Sequence, residues 1–115
     1  MSSTPEPTVS ATQYRVSLLP ESVPQSELWD IEVVARGNGL WAVTHFSRCL
    51  AVDGEWDYEP SPSNREDDWL AEHRFKLDVA IGMAKVVATT ITVNGKTAVE
   101  VLRGMDDLQN IVEAK

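Results

Sequence analysis

Apolar residues recur with period 2 in the first half of the chain and at steps of three and four in much of the second. Tyr14-Arg15-Val16-Ser17-Leu18-Leu19 alternates and predicts a half-buried strand, ended by Pro20 because proline cannot donate to a sheet ladder. Residues 21–25, with Pro24, predict a connecting loop. Residues 28–36 and 40–46 read as the two arms of a hairpin around Gly37-Asn38-Gly39, since Gly and Asn accept the positive φ of tight turns. In the first arm Trp29, Ile31, Val33 and Ala35 share a face, and in the second Trp41, Val43 and His45 do, so Trp29 and Trp41 are expected to face one core. A further short strand through Cys49-Leu50-Ala51-Val52 follows a turn near Ser47-Arg48.

Beyond residue 62 the pattern becomes helical. Ser63-Asn64-Arg65-Glu66 fits the S-x-x-E capping box and predicts a short helix over residues 64–73, with Trp69 and Leu70 turned inward. Leu77, Ala80, Ile81, Ala84, Val87 and Ala88 form one apolar stripe, predicting a longer helix over residues 78–89 that covers the Trp29/Trp41 face. Thr90-Ile91-Thr92-Val93 is strand-like and Asn94-Gly95 is a turn. Thr97-Ala98-Val99-Glu100 is a second capping box, opening a helix expected to stop near Gly104, with Asp106 capping a last one. The expected fold class is α+β: a three- to four-stranded antiparallel sheet in the N-terminal half, covered by two to four helices from the C-terminal half. Residues 1–12, rich in Ser, Thr and Pro, have almost nothing to bury and predict a disordered tail on a single domain spanning residues 13–115.

Charge changes this picture in one place. Between Asp53 and Glu72 stand eight acids and one base, Arg65, a net of −7 out of −8 for the whole chain. A pI near 4.6 argues against direct nucleic-acid binding and against anionic membrane, which need Lys and Arg, and permits a protein partner with a basic surface. No apolar run approaches the roughly 20 residues needed to span a bilayer, and the N-terminus lacks a signal-peptide pattern. A single cysteine, Cys49, excludes an internal disulfide and fits a reducing, cytoplasmic setting.

If residues 53–59 are extended, Asp53, Glu55, Asp57 and Glu59 fall on one face and Trp56 and Tyr58 on the other, so the aromatics can pack while the carboxylates meet water or a partner. An EF-hand beginning at Asp53 fails, because its position 6 is Tyr58 instead of Gly and its position 12 is Asn64 instead of Glu. Alternate carboxylates about 6.6 Å apart could imitate a run of phosphates, but four are too few to specify that. Paired carboxylates acting as general acid and base need a cleft that perturbs their pKa values, which a short exposed loop does not offer. His45 and His73 stand in no H-E-x-x-H or H-x₃₋₅-H spacing, and Gly37-Asn38-Gly39 sits between strands instead of opening a helix, so neither zinc nor a dinucleotide is implied. No cofactor or metal is expected.

The segments Leu40-Trp41-Ala42-Val43, Cys49-Leu50, Asp53-Gly54-Glu55-Trp56-Asp57-Tyr58-Glu59-Pro60, Trp69-Leu70-Ala71-Glu72-His73-Arg74-Phe75 and Val93-Asn94-Gly95-Lys96-Thr97-Ala98 resemble small uncharacterised proteins of actinobacterial genomes and their phages. The resemblance covers residues 14–103. It implies a phage-borne or accessory protein and carries no activity. The expectation is a non-enzymatic interaction module that binds a basic partner through Asp53, Glu55, Trp56, Asp57, Tyr58, Glu59, Asp67 and Asp68. Two alternatives stand beside it: a ligand-binding domain or enzyme with a pocket near Trp41 and His45, and an assembly protein that oligomerises through a sheet edge or the C-terminal helix.

Overall fold

The computed structural model describes residues 4–113, with side chains described up to Met105. The chain is α+β, with a five-stranded antiparallel meander, a separate two-stranded hairpin and three α-helices among the described residues. The meander runs β1 (Gln13–Val16), β2 (Ile31–Ala35), β3 (Trp41–His45), β4 (Arg48–Leu50) and β5 (Trp56–Tyr58), each strand pairing with the next. The small hairpin is β6 (Thr92–Val93) and β7 (Lys96–Thr97), and the helices are α1 (Asp67–His73), α2 (Leu77–Val87) and α3 (Ala98–Glu113).

Gly37, Asn38 and Gly39 adopt φ of 92°, 56° and 72°, the left-handed region that the β2–β3 turn requires. The register Val33↔Val43 places Ile31, Val33, Val43 and Leu50 on one face, where α2 and its C-cap lay Ala80, Ala84 and Ala88 against them. The three alanines follow one another at steps of four, so the helix approaches the sheet closely along a single stripe. Trp29 and Trp41 both join this core, as expected. Trp29 does so from a 3₁₀ turn (Ser26–Trp29) and not from a strand, and its indole N–H donates to the Lys96 carbonyl at 2.9 Å.

The opposite face of the sheet carries Ala42, Thr44, Cys49 and Asp57, and all but Asp57 are buried. α1 lies on this side, joined to Asp57 through His73. Between α1 and α2, Phe75 exchanges both backbone hydrogen bonds with Trp41, at 2.7 and 2.9 Å, on the side of β3 that the short β4 leaves uncovered. The sheet is therefore covered on both faces, not on one.

Several local expectations change. The acidic stretch supplies a fifth strand, and with β5, β6 and β7 all beyond residue 55 the chain does not divide into a strand half and a helix half. The Ser63–Glu66 box does not form: residues Pro62–Asn64 make a 3₁₀ turn, Arg65 is extended, and Glu66 precedes α1 with no side-chain cap. Arg65 is held in that conformation because its Nε–H donates to the Pro60 carbonyl at 2.9 Å. The Thr97–Glu100 box does form, with the Glu100 N–H donating to Thr97 Oγ1 at 3.2 Å and the Thr97 N–H to Glu100 Oε1 at 3.2 Å. The helix it opens runs through Gly104 to Glu113 without a break, so no new helix starts at Asp106. One helical glycine costs only about 1 kcal/mol relative to alanine, too little to end a helix by itself. Residues 1–3 and 114–115 lie outside the described residues; residues 4–12 carry no secondary structure.

Candidate functional site

The acidic stretch begins as a tight turn. Asp53 Oδ1 accepts from the Glu55 N–H at 2.9 Å, Gly54 takes φ 89°, and the Ala51 N–H donates to the Glu55 carbonyl at 2.8 Å, closing the β4–β5 hairpin. The Val52 N–H donates to the Glu72 carbonyl at 2.9 Å, which fastens this turn to α1.

The four alternating carboxylates do not form one free row. Asp53 and Glu55 are exposed and have no cation in contact among the described residues. Asp57 Oδ2 lies 2.7 Å from His73 Nε2, with the Asp57 side chain 50% exposed and the imidazole buried. That ring stacks on Trp69, centroids 4.1 Å apart and planes within 8°, and its Nδ1–H donates to the Trp69 carbonyl at 2.7 Å. The i, i+4 spacing of Trp69 and His73 on α1 brings the two rings together.

Glu59 departs furthest from expectation. Its side chain is only 13% exposed, and three arginines converge on it. Arg36 donates from Nε to Oε1 and from Nη2 to Oε2, both at 2.8 Å, in a bidentate fork. Arg74 Nη2 donates to Oε1 at 2.8 Å, and Arg65 Nη2 lies 3.1 Å from the same oxygen. The hydrogen bond from Arg36 is the largest cause holding the Glu59 carboxyl down at about 2, against the opposing effect of burial. Arg36 is raised in turn by its bond to Glu59. Glu59 is thus a structural anchor tying β2, the loop before α1 and the end of α1 to β5, and it is not available to a partner.

Trp56 is half-buried against the core and meets His45 edge-on at 6.1 Å. Tyr58 is 69% exposed, with the Arg48 guanidinium 5.1 Å over its ring. The aromatic pair therefore splits into one core residue and one surface residue. Phe46, in the β3–β4 turn at φ 56°, is also 69% exposed and packs at 4.2 Å on His45. Two adjoining concavities of about 370 and 290 Å³ open here, sharing His45, Arg48 and Thr92, with Phe46 and Tyr58 on one and Trp56 on the other. His45 Nε2 donates to the Leu28 carbonyl at 2.9 Å. Trp41 lines neither concavity; it packs on Tyr14 at 5.5 Å, so the expected pocket forms at His45 without it.

Asp67 and Asp68 occupy the first turn of α1, where negative charge is favoured by the helix dipole, and both are exposed. No cluster of three or more metal-ligating side chains occurs among the described residues. Cys49 is fully buried, and burial, with the nearby Glu59 charge, pushes its thiol up to about 11, which removes it as a nucleophile at neutral pH.

The expected site residues are thus only partly brought together. Sequence reasoning missed the arginine cluster, in which Arg36 and Arg74 lie 23 and 15 residues from Glu59, and the exposed Phe46. The second left no signal, because residues 40–46 read as one strand arm while the turn takes in Phe46 itself. No protein-family model matches the chain, and neither the curated proteins nor the solved structures give a match.

Proposed function

We propose that the protein is an interaction module that binds a basic segment of another protein through the exposed side of the β4–β5 hairpin and the start of α1. The observation that carries this reading is the joint exposure of Tyr58, at 69%, on β5 and of four carboxylates that have no cation in contact among the described residues: Asp53 and Glu55 on the hairpin, and Asp67 and Asp68 on α1. An exposed aromatic beside Arg48 supplies the residue types that dominate binding energy at interfaces, and the carboxylates supply charge complementarity at the rim. Asp57 and Glu59 are positioning residues here, because their carboxylates hold His73 and the arginines.

The test replaces Asp53, Glu55, Asp67 and Asp68 together with serine, leaving Asp57 and Glu59 intact so that folding and binding are not confounded. Proteins retained from the native host by the wild-type chain should be lost by this variant, and their retention should fall steeply with added salt. Equal retention by both chains, insensitive to salt, overturns the reading.

A further inference from the structure

β5 is the last strand of the sheet, and its outer side meets no other strand among the described residues. Its hydrogen bonding with β4 fixes which groups point outward. Ala51 donates to Glu55, and Glu59 donates to Ser47, so 51/55 and 47/59 are hydrogen-bonded pairs. By alternation the pair Cys49↔Asp57 is hydrogen-bonded too, whereas Leu50↔Trp56 and Arg48↔Tyr58 are not. The N–H and C=O of Trp56 and Tyr58 are therefore directed away from β4, towards the open edge.

We infer that this edge accepts an added β-strand, and that its occupant is an extended segment of a partner in which Lys or Arg alternates with an apolar residue. This rests on the interaction reading above and specifies its mode. A strand paired with β5 places one set of its side chains beside Asp57 and Glu55, and the alternate set beside Trp56 and Tyr58. The first set meets carboxylates, the second an aromatic surface that continues through Phe46. A second copy of this chain fits poorly, because antiparallel pairing of two β5 strands centred on Asp57 sets Asp57 against Asp57. Like charges directly opposite destabilise a strand pair.

The full chain is titrated with a blocked peptide of about eight residues alternating Lys and Val, and with an isomer of the same composition in which the lysines precede the valines. The alternating peptide should bind about tenfold more tightly, and at saturation amide exchange of Trp56 and Tyr58 should slow about tenfold or more. Tyr58→Pro removes one outward N–H without touching a β4 bond, so it should abolish the preference while circular dichroism is unchanged. Exchange on the wild-type chain needs no variant to fold. Equal binding of the two isomers, or binding with no protection of these amides, overturns strand addition. If that equal binding is lost in Glu55→Lys, the charged-surface reading survives alone; if it is not, both fall.

Discussion

Arg36 and Glu59, 23 residues apart, meet in a two-pronged ion pair with both contacts at 2.8 Å. The pair joins the end of β2 to the residue following β5, with β3 and β4 between them in the sheet. Arg65 and Arg74 share the same carboxylate, and no buried side-chain nitrogen or oxygen is left without a partner among the described residues. This cluster holds the β4–β5 hairpin in place and so fixes the surface that carries Tyr58.

Removing the carboxylate leaves three guanidinium groups facing one another with no anion between them. Glu59→Gln should destabilise the protein by about 2–4 kcal/mol, below the top of the range for a broken buried pair because Arg36 and Arg65 keep some contact with water. Urea unfolding of the two proteins at neutral pH measures this. A loss under about 0.5 kcal/mol, typical of exposed pairs, would show the cluster to be a solvated surface feature.

The same group sets an acid limit. The folded-state pKa of Glu59, about 2, lies below the ordinary value of 4.5, so the unfolded chain binds more protons in between. Its contribution is therefore fully present above about pH 4.5 and is lost as pH falls through about 2. The urea midpoints of wild type and Glu59→Gln should differ most at neutral pH and converge as the pH approaches 2. A constant gap from neutral pH down to about 2 would place the stabilisation elsewhere.

The parts of this fold that were legible in the sequence rest on local rules. Gly37-Asn38-Gly39 reads as a turn because its φ values demand those residues. The α2 stripe reads because its alanines recur at helical steps, and the Thr97–Glu100 box forms because both partners lie within one turn. What stayed hidden depends on distant partners. Ser63–Glu66 has the same box pattern, yet Arg65 is pulled out of helix by Pro60 and Glu59. The acidic row looked uncompensated because Arg36 and Arg74 lie outside it in sequence, and a pairing across 23 residues leaves no periodic trace. Gly104 reads locally as a stop, but the helix continues through it.

Cys49 gives a measure of how tightly the α1 side of the sheet is closed. Its thiol is buried and raised to about 11, so at pH 8 the thiolate fraction is about a hundredfold below that of an ordinary cysteine. A disulfide reagent should modify the native protein at least about a hundredfold more slowly than the urea-unfolded chain. Stoichiometric labelling of the folded protein at the unfolded rate would mean that the β4–α1 side opens readily.

The capping box at the start of α3 is a local element whose contribution separates cleanly from the core. Thr97 Oγ1 accepts the Glu100 N–H and donates to Glu100 Oε1, while the Thr97 N–H donates to that same oxygen. Thr97→Ala removes the hydroxyl and leaves the Glu100 N–H without its acceptor. A loss of about 1 kcal/mol is expected, with Glu100→Ala costing less because it leaves the threonine acceptor in place. Since Trp29 bonds to the neighbouring Lys96 carbonyl, slackening this cap should also speed amide exchange along the β6–β7 hairpin. If Thr97→Ala leaves both the unfolding midpoint and that exchange unchanged, α3 is held by its packing through Ala98, Val101 and Leu102 and not by its cap.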